Sequence, residues 1–358
     1  MKLAGFAAAV ALLAPAALAA QDSPEVQANP PGTVTVPGYE LPLSVYLSDE
    51  ARALLEAGTT SPMGDGPPPP PEAYPGIRAG MRAGMAPQVE ALRAEYGVTI
   101  EEAHVGGIHG YWVRPGGEPA AAPRPVLLNL PAGAFLIGQA NPIGLIEAIP
   151  VAALGGFDIF TMDYRQAPEH TFPAASEDVA AAYAALLTNT PAGRIGIYGC
   201  SAGGLLTAQA LAWFDAHDLP MPGAAGILCA SADGLWGGDS WHWQNPLQGS
   251  SAAPAVAEEM YYGGHDPEDP LLSPDRSPEL LAKFPPSLLI SATRAGELSS
   301  TVNTHRLLVH AGVEAELHVW DGFGHAFMFL NPQLPESKEV FAVIAAFFEE
   351  HLSEGIAE

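Results

Sequence analysis

Basic residues are scarce in this 358-residue chain: Lys and Arg number 14 against 40 Asp and Glu, a formal charge of −26 with His neutral. A surface so acidic repels phosphate backbones and anionic lipid, which argues against nucleic-acid binding and electrostatic membrane docking. Cysteine is scarcer still. Cys200 and Cys229 are its only two, too few for a disulfide framework, although an oxidising compartment would permit one bridge. Both end apolar, strand-like runs, the usual setting of small buried residues. No Gly-rich phosphate loop and no dinucleotide fingerprint occurs, so no cofactor is indicated. His242 beside Asp239 is not metal-ligand spacing, and no metal is expected. There is no internal repeat, and beyond the first twenty residues no run is long and apolar enough to span a bilayer.

Those first twenty, "MKLAGFAAAVALLAPAALAA", carry one early cation at Lys2, an apolar run, and small residues at Ala17 and Ala19. This is the pattern of a signal peptide cleaved after Ala19 or Ala20, so a periplasmic or secreted protein is expected, with no stable membrane insertion after signal removal. Pro15 and the alanine-rich run make a poor spanning helix. Residues 21–97 read as an arm and cap. They hold a Pro-rich extended run at Pro67–Pro71, a short helix with Ser48 as N-cap and Gly58 as stop, and a second helical piece ending at Gly97.

From Val98 to the end, β-rich runs alternate with helix-length segments: "GYWVR", "VLLNL", "FDIFTMD", "RIGIYG", "AGILCA", "SLLISAT" and "AELHVW". Alternation of this kind predicts βαβ units, and so an α/β fold with a parallel sheet covered on both faces. Residues 233–270 break the rhythm and read as an insertion within this 98–358 domain.

The strongest local signal is "IGIYGCSAGG", where Gly199-Cys200-Ser201-Ala202-Gly203 joins an apolar strand to an apolar helix. The G-x-S-x-G spacing suits a serine on a sharp turn, since the glycines remove Cβ atoms that would clash there. Ser201 is the candidate nucleophile, and the N–H of Ala202 a candidate oxyanion donor. A serine hydroxyl needs a base to take its proton. In the order Ser, acid, His, that base belongs in a loop after the last strand, and "VWDGFGHAF" puts His325 there.

Together with "DYRQAPEHTFPAASEDV" from Asp163 and "GGHDPEDPLLSP", these blocks resemble the hormone-sensitive-lipase-like (bacterial family IV) esterases of the α/β-hydrolase fold, in the family's order and over most of the chain after Val98. The resemblance implies a central, mostly parallel eight-stranded sheet with helices on both faces, a helical cap, and hydrolysis of a small-molecule carboxylic ester. Two departures stand out. Where the family reads H-G-G-G, this chain reads "PAGAF", Pro131 to Phe135. Main-chain N–H groups do the work of an oxyanion hole, so Gly133 and Ala134 remain candidates beside Ala202.

The second departure concerns the acid. Family members commonly carry Asp just after the seventh strand, where this chain has Ala295. Three readings stay open. Glu297, two residues on, is the first candidate; Asp233, past the sixth strand, is the alternative acid; or no third residue functions. Glu297 has a competing structural use as a carboxylate at a helix N-terminus. Trp241 and Trp243 in the insertion are candidates for the substrate pocket. The expected activity is that of a carboxylesterase working through an acyl-enzyme on short-chain acyl esters. The alternative is a hydrolase-fold binding protein whose catalytic site has decayed.

Overall fold

The computed structural model describes residues 38, 40–58, 69–117, 122–247 and 259–353. The first twenty residues and the start of the Pro-rich run, Pro67 and Pro68, lie outside this set. The chain divides into a unit Met1–Pro42, whose four described residues have no regular structure, and a unit Leu43–Glu358. Everything below concerns the second.

Eight strands form one sheet in the order β1-β2-β4-β3-β5-β6-β7-β8. They are β1 (Val98–Val105), β2 (Ile108–Pro115), β3 (Val126–Leu130), β4 (Asp158–Met162), β5 (Ile195–Cys200), β6 (Ala224–Leu228), β7 (Ser287–Ala292) and β8 (Ala315–Trp320). β2 pairs antiparallel with both β1 and β4, and every pair from β4 to β8 is parallel. β3, β5, β6 and β7 are buried along their whole length. Strands covered on both faces read as continuous apolar runs, which is why they were visible in the sequence. β1, "VTIEEAHV", alternates with an exposed acidic face and has no such run.

Among the described residues, eleven α-helices surround the sheet. Two precede it, α1 (Asp49–Glu56) and α2 (Tyr74–Tyr96). The crossovers carry α3 (Leu145–Gly155), α4 (Ala174–Leu187) and α5 (Ala202–Ala216). After β6 come α6 (Asp239–Leu247), α7 (Glu259–Tyr262) and α8 (Pro278–Leu281), then α9 (Leu298–His310), and after β8 α10 (Phe327–Leu330) and α11 (Pro335–Ser353). Ser48 caps α1 by accepting from Ala51 N–H, and Gly97 ends α2 in the left-handed region at φ 65°. Ser48 also donates twice to Glu336, at 2.7 Å from N and 3.0 Å from Oγ, fastening α1 to α11.

Two apolar cores result. One joins Phe160 and Leu128 to Tyr183 and Phe214 from α4 and α5; the other joins Tyr198 and Leu127 to Phe341 and Phe348 from α11 and to α3. Burying one such ring contributes about 1.5–3 kcal/mol. Helix α3 is buried nearly throughout, so it lacks the polar stripe by which an amphipathic helix is recognised. The parallel strands deliver their C-terminal ends, with the loops that follow, to one edge of the sheet, where ligands of such folds gather.

Candidate active site

Ser201 sits between β5 and α5 with φ 58° and ψ −123°, a strained conformation for a residue with a side chain. Its surroundings explain the glycines. A Cβ on Gly199 would lie 2.3 Å from the Leu130 carbonyl oxygen, and one on Gly203 would lie 1.8 Å from it. Only bare backbone lets the end of β3 pass so close to the turn. The bond from Ser201 N–H to Leu228 O, 2.9 Å, ties the turn to β6.

His325 lies in the loop after β8, which Gly322 turns at φ 85°. Its Nε2 is 2.8 Å from Ser201 Oγ and its Nδ1 2.8 Å from Glu297 Oε2. An ionised carboxylate only accepts, so Nδ1 carries the proton and Nε2 is left to accept from the serine hydroxyl. Glu297 is 1% exposed, and its second oxygen accepts from Ser291 Oγ at 3.2 Å. It occupies the N-cap position of α9, yet its side chain makes no capping bond there. The helix-terminus use weighed against it is therefore not what the carboxylate does. Ala295 is fully buried in the apolar core.

The loop bearing Glu297 is clamped from the insertion. Ser240 Oγ donates to Gly296 O at 2.6 Å and accepts from Ser299 N–H at 2.8 Å, while Ser240 N–H donates to Ser299 Oγ at 3.0 Å. Gly238, at φ 103°, approaches so closely that a Cβ there would meet the Ser299 Cβ at 2.4 Å. Residues read as an insertion thus brace the loop that carries the carboxylate.

Asp233, the alternative acid, has other partners. Its Oδ1 accepts from Leu235 N–H at 2.9 Å and from Arg276 Nη2 at 3.1 Å, and these partners hold it in its own turn, away from His325 Nδ1, which Glu297 takes. The tryptophan that reaches the imidazole is one the sequence did not single out. Trp236 lies edge-on to His325 with ring centres 6.0 Å apart, and Trp241 packs behind it at 6.0 Å. Trp243 is 45% exposed on α6. Position in "GLWGG" gave no periodic or spacing signal for Trp236.

The loop after β3 holds the remaining candidates. Gly133 has φ 131°, Ala134 φ 54° and Phe135 φ 56°, and a Cβ on Gly133 would lie 2.2 Å from Gly138 N. Leu136 and Ile137 both return their N–H groups to Gly133 O at 2.9 Å, whereas no bond among the described residues engages the N–H of Gly133, Ala134 or Ala202. Three free donors follow a tight turn and a helix start, the arrangement that suits a developing oxyanion. Below them Glu147, wholly buried on α3, accepts from Ala132 N–H at 3.0 Å. A single acid in the apolar run "PIGLIEAIPVAALG" was its only sequence signal.

Among the described residues, one trio has donor atoms within 4.8 Å of one another: Glu316 on β8 with Glu350 and His351 on α11. It shares no residue with the Ser201 site. No helix among the described residues is long and apolar enough to cross a membrane.

Known proteins bear on this geometry directly. A family model described as the alpha/beta hydrolase fold matches residues 128–329, over half the chain. An acetyl-hydrolase of Streptomyces hygroscopicus is 30% identical over 257 residues, covering 70% of this chain and 83% of that protein. The crystal structure of esterase E25 superposes with a TM-score of 0.78 at 28% identity, covering 89% of this chain and 98% of the other. A hormone-sensitive lipase from a metagenome library gives 0.70 at 28% identity, covering 85% and 98%. With its eight-stranded sheet and the serine turn after β5, this chain belongs to the α/β-hydrolase family, among its hormone-sensitive-lipase-like esterases.

Proposed function

We propose that this esterase cleaves short-chain acyl esters through an acyl-enzyme on Ser201, with His325 as general base and acid and Glu297 as the carboxylate that orients it. The observation that carries the reading is the unbroken chain of two 2.8 Å contacts from Ser201 Oγ through the imidazole to Glu297. As Ser201 Oγ bonds to the acyl carbon, its proton passes to His325 Nε2, and the carbonyl oxygen becomes an oxyanion facing the N–H groups of Gly133, Ala134 and Ala202. Collapse breaks the bond to the alcohol oxygen, which leaves with the proton from Nε2. Water then attacks the acyl-enzyme, gives a proton to Nε2, and Ser201 departs with that proton as the acid is released. The buried carboxylate at Nδ1 fixes the tautomer and stabilises the transient imidazolium.

Preference for short acyl groups draws on the acetyl-hydrolase relative. A chromogenic acetyl ester assay with fluorophosphonate labelling tests the reaction. Turnover together with rapid labelling lost in Ser201→Ala supports it; neither in the wild type overturns it in favour of a binding protein. Better turnover of long-chain triacylglycerol would overturn the chain-length preference. We also propose export, from the first twenty residues. Mass spectrometry of exported protein should find Ala20 or Gln21 at the N-terminus, and an intact Lys2 would contradict it.

A further inference from the structure

The oxyanion loop is strained at three successive positive-φ residues, Gly133 to Phe135, two of which carry side chains. A conformation of this kind persists only where its surroundings over-determine it. Much of the support is backbone-directed: Tyr164 donates to Pro131 O at 2.7 Å, Arg78 Nε to Leu136 O at 2.7 Å, and Ala167 N–H to Phe135 O at 2.9 Å. One support is different in kind. Glu147 is fully buried, and Oε1 accepts from the N–H of Ala132, the residue directly before Gly133. Its Oε2 meets Asn129 Nδ2 at 2.9 Å, and Asn129 Oδ1 accepts from Thr161 Oγ1 at 2.7 Å. Tyr198 donates to the Glu147 carbonyl at 3.3 Å, anchoring the first turn of α3 itself.

We propose that Glu147 is a positioning residue for the esterase reaction: by holding the Ala132 N–H it sets the peptide planes from which Gly133 and Ala134 face the oxyanion. The inference rests on the esterase reading above.

The chemistry of the cluster adds a signature. Burial pushes the Glu147 carboxyl up to about 8, against the two N–H donors from Asn129 and Ala132, which pull it down. Around it stand Tyr198 and Cys200 from β5 and Tyr164 after β4, all raised by burial first and therefore neutral across the same range. Below about 8 the group is a neutral acid. Protonation leaves Oε1 to accept from Ala132 N–H, and the hydroxyl oxygen Oε2 still has a lone pair for Asn129 Nδ2. Above about 8 a negative charge appears one residue from the oxyanion donors, where it opposes the charge that develops in the transition state.

The test is kcat and KM for p-nitrophenyl acetate from pH 6 to 9.5 with wild type, Glu147→Gln and Glu147→Leu. Glu147→Leu leaves the part-buried Ala132 N–H without its acceptor. It should lower kcat about 10- to 100-fold with KM within about threefold, the pattern of an interaction that matters in the transition state. Glu147→Gln keeps an acceptor for Ala132 and should recover kcat to within about threefold at pH 7, without the wild-type decline above about pH 8. A Glu147→Leu protein with wild-type kcat, or a Glu147→Gln profile that declines like the wild type, overturns the inference; if Glu147→Leu fails to fold, the Glu147→Gln profile decides alone. Absence of turnover by the wild type would instead sink the esterase reading, and this inference with it.

Discussion

Two loops of this protein depart from the family pattern, and they compensate in opposite ways. After β7 the expected acid position holds Ala295, buried among apolar side chains, and a different side chain, Glu297, reaches the same imidazole nitrogen. After β3 the histidine position holds Pro131, and the backbone of Gly133 and Ala134 holds its turn with buried support from Tyr164 and Glu147. A function performed by a side chain must move to another residue when its position changes. A function performed by main-chain N–H groups tolerates new side chains so long as the backbone is held. Damage at the first loop should therefore appear as lost chemistry, and at the second as lost geometry.

Ser201→Ala removes the proposed nucleophile on which both loops would act and should cost on the order of 10⁴-fold or more in kcat, read with an acetyl ester. Gly133→Ala attacks the backbone loop. Its Cβ would fall 2.2 Å from Gly138 N at a φ of 131°. Misaiming one oxyanion donor commonly costs about 10²- to 10³-fold in kcat, and near-UV circular dichroism should show the fold intact. Moving the acid back tests the side-chain loop: Glu297→Ala with Ala295→Asp should recover about tenfold over Glu297→Ala alone if the loop lets the shorter carboxylate reach Nδ1.

A separate effect falls on stability. Folded Glu147 takes its proton at about 8, whereas the unfolded side chain does so near 4.3. A raised value means the folded state holds the proton more tightly, so this contribution is complete below about pH 4.3 and is lost as pH climbs toward about 8. Glu147→Gln removes that slope, and its Tm should gain on the wild type between pH 5 and 8. A Tm difference that does not change with pH would contradict the buried-acid assignment.

How much of this was legible in the sequence follows from what each element buries. β3 and β8 begin and end where the stretches "VLLNL" and "AELHVW" do, because a continuous apolar run marks the first and alternation the second. β1 was not singled out because an exposed edge strand with acidic residues has little apolar run, and α3 because a helix buried on all sides has no stripe. The turn carrying Ser201 after β5 and the loop carrying His325 after β8 were readable from local motif and order. Glu297 was readable only as a substitute, since no spacing tells a carboxylate that caps a helix from one that turns toward a histidine. Asp233, Trp236 and Glu147 depended on contacts between segments distant in the chain: Arg276 holding Asp233, the imidazole beside Trp236, and Ala132 above Glu147.

The relocated acid is tested most directly by measuring kcat for p-nitrophenyl acetate in Glu297→Gln beside Asp233→Asn. With its oxygen held by the Ser291 hydroxyl, an amide at position 297 presents N–H to His325 Nδ1 and favours the tautomer that does not accept from serine, and the comparable change in a Ser-His-Asp triad costs about 10⁴-fold. The account predicts a loss of about 10²- to 10⁴-fold for Glu297→Gln with KM little changed, and less than about threefold for Asp233→Asn, whose partner is Arg276. A Glu297→Gln enzyme that keeps most of its kcat while Asp233→Asn loses it would contradict the account.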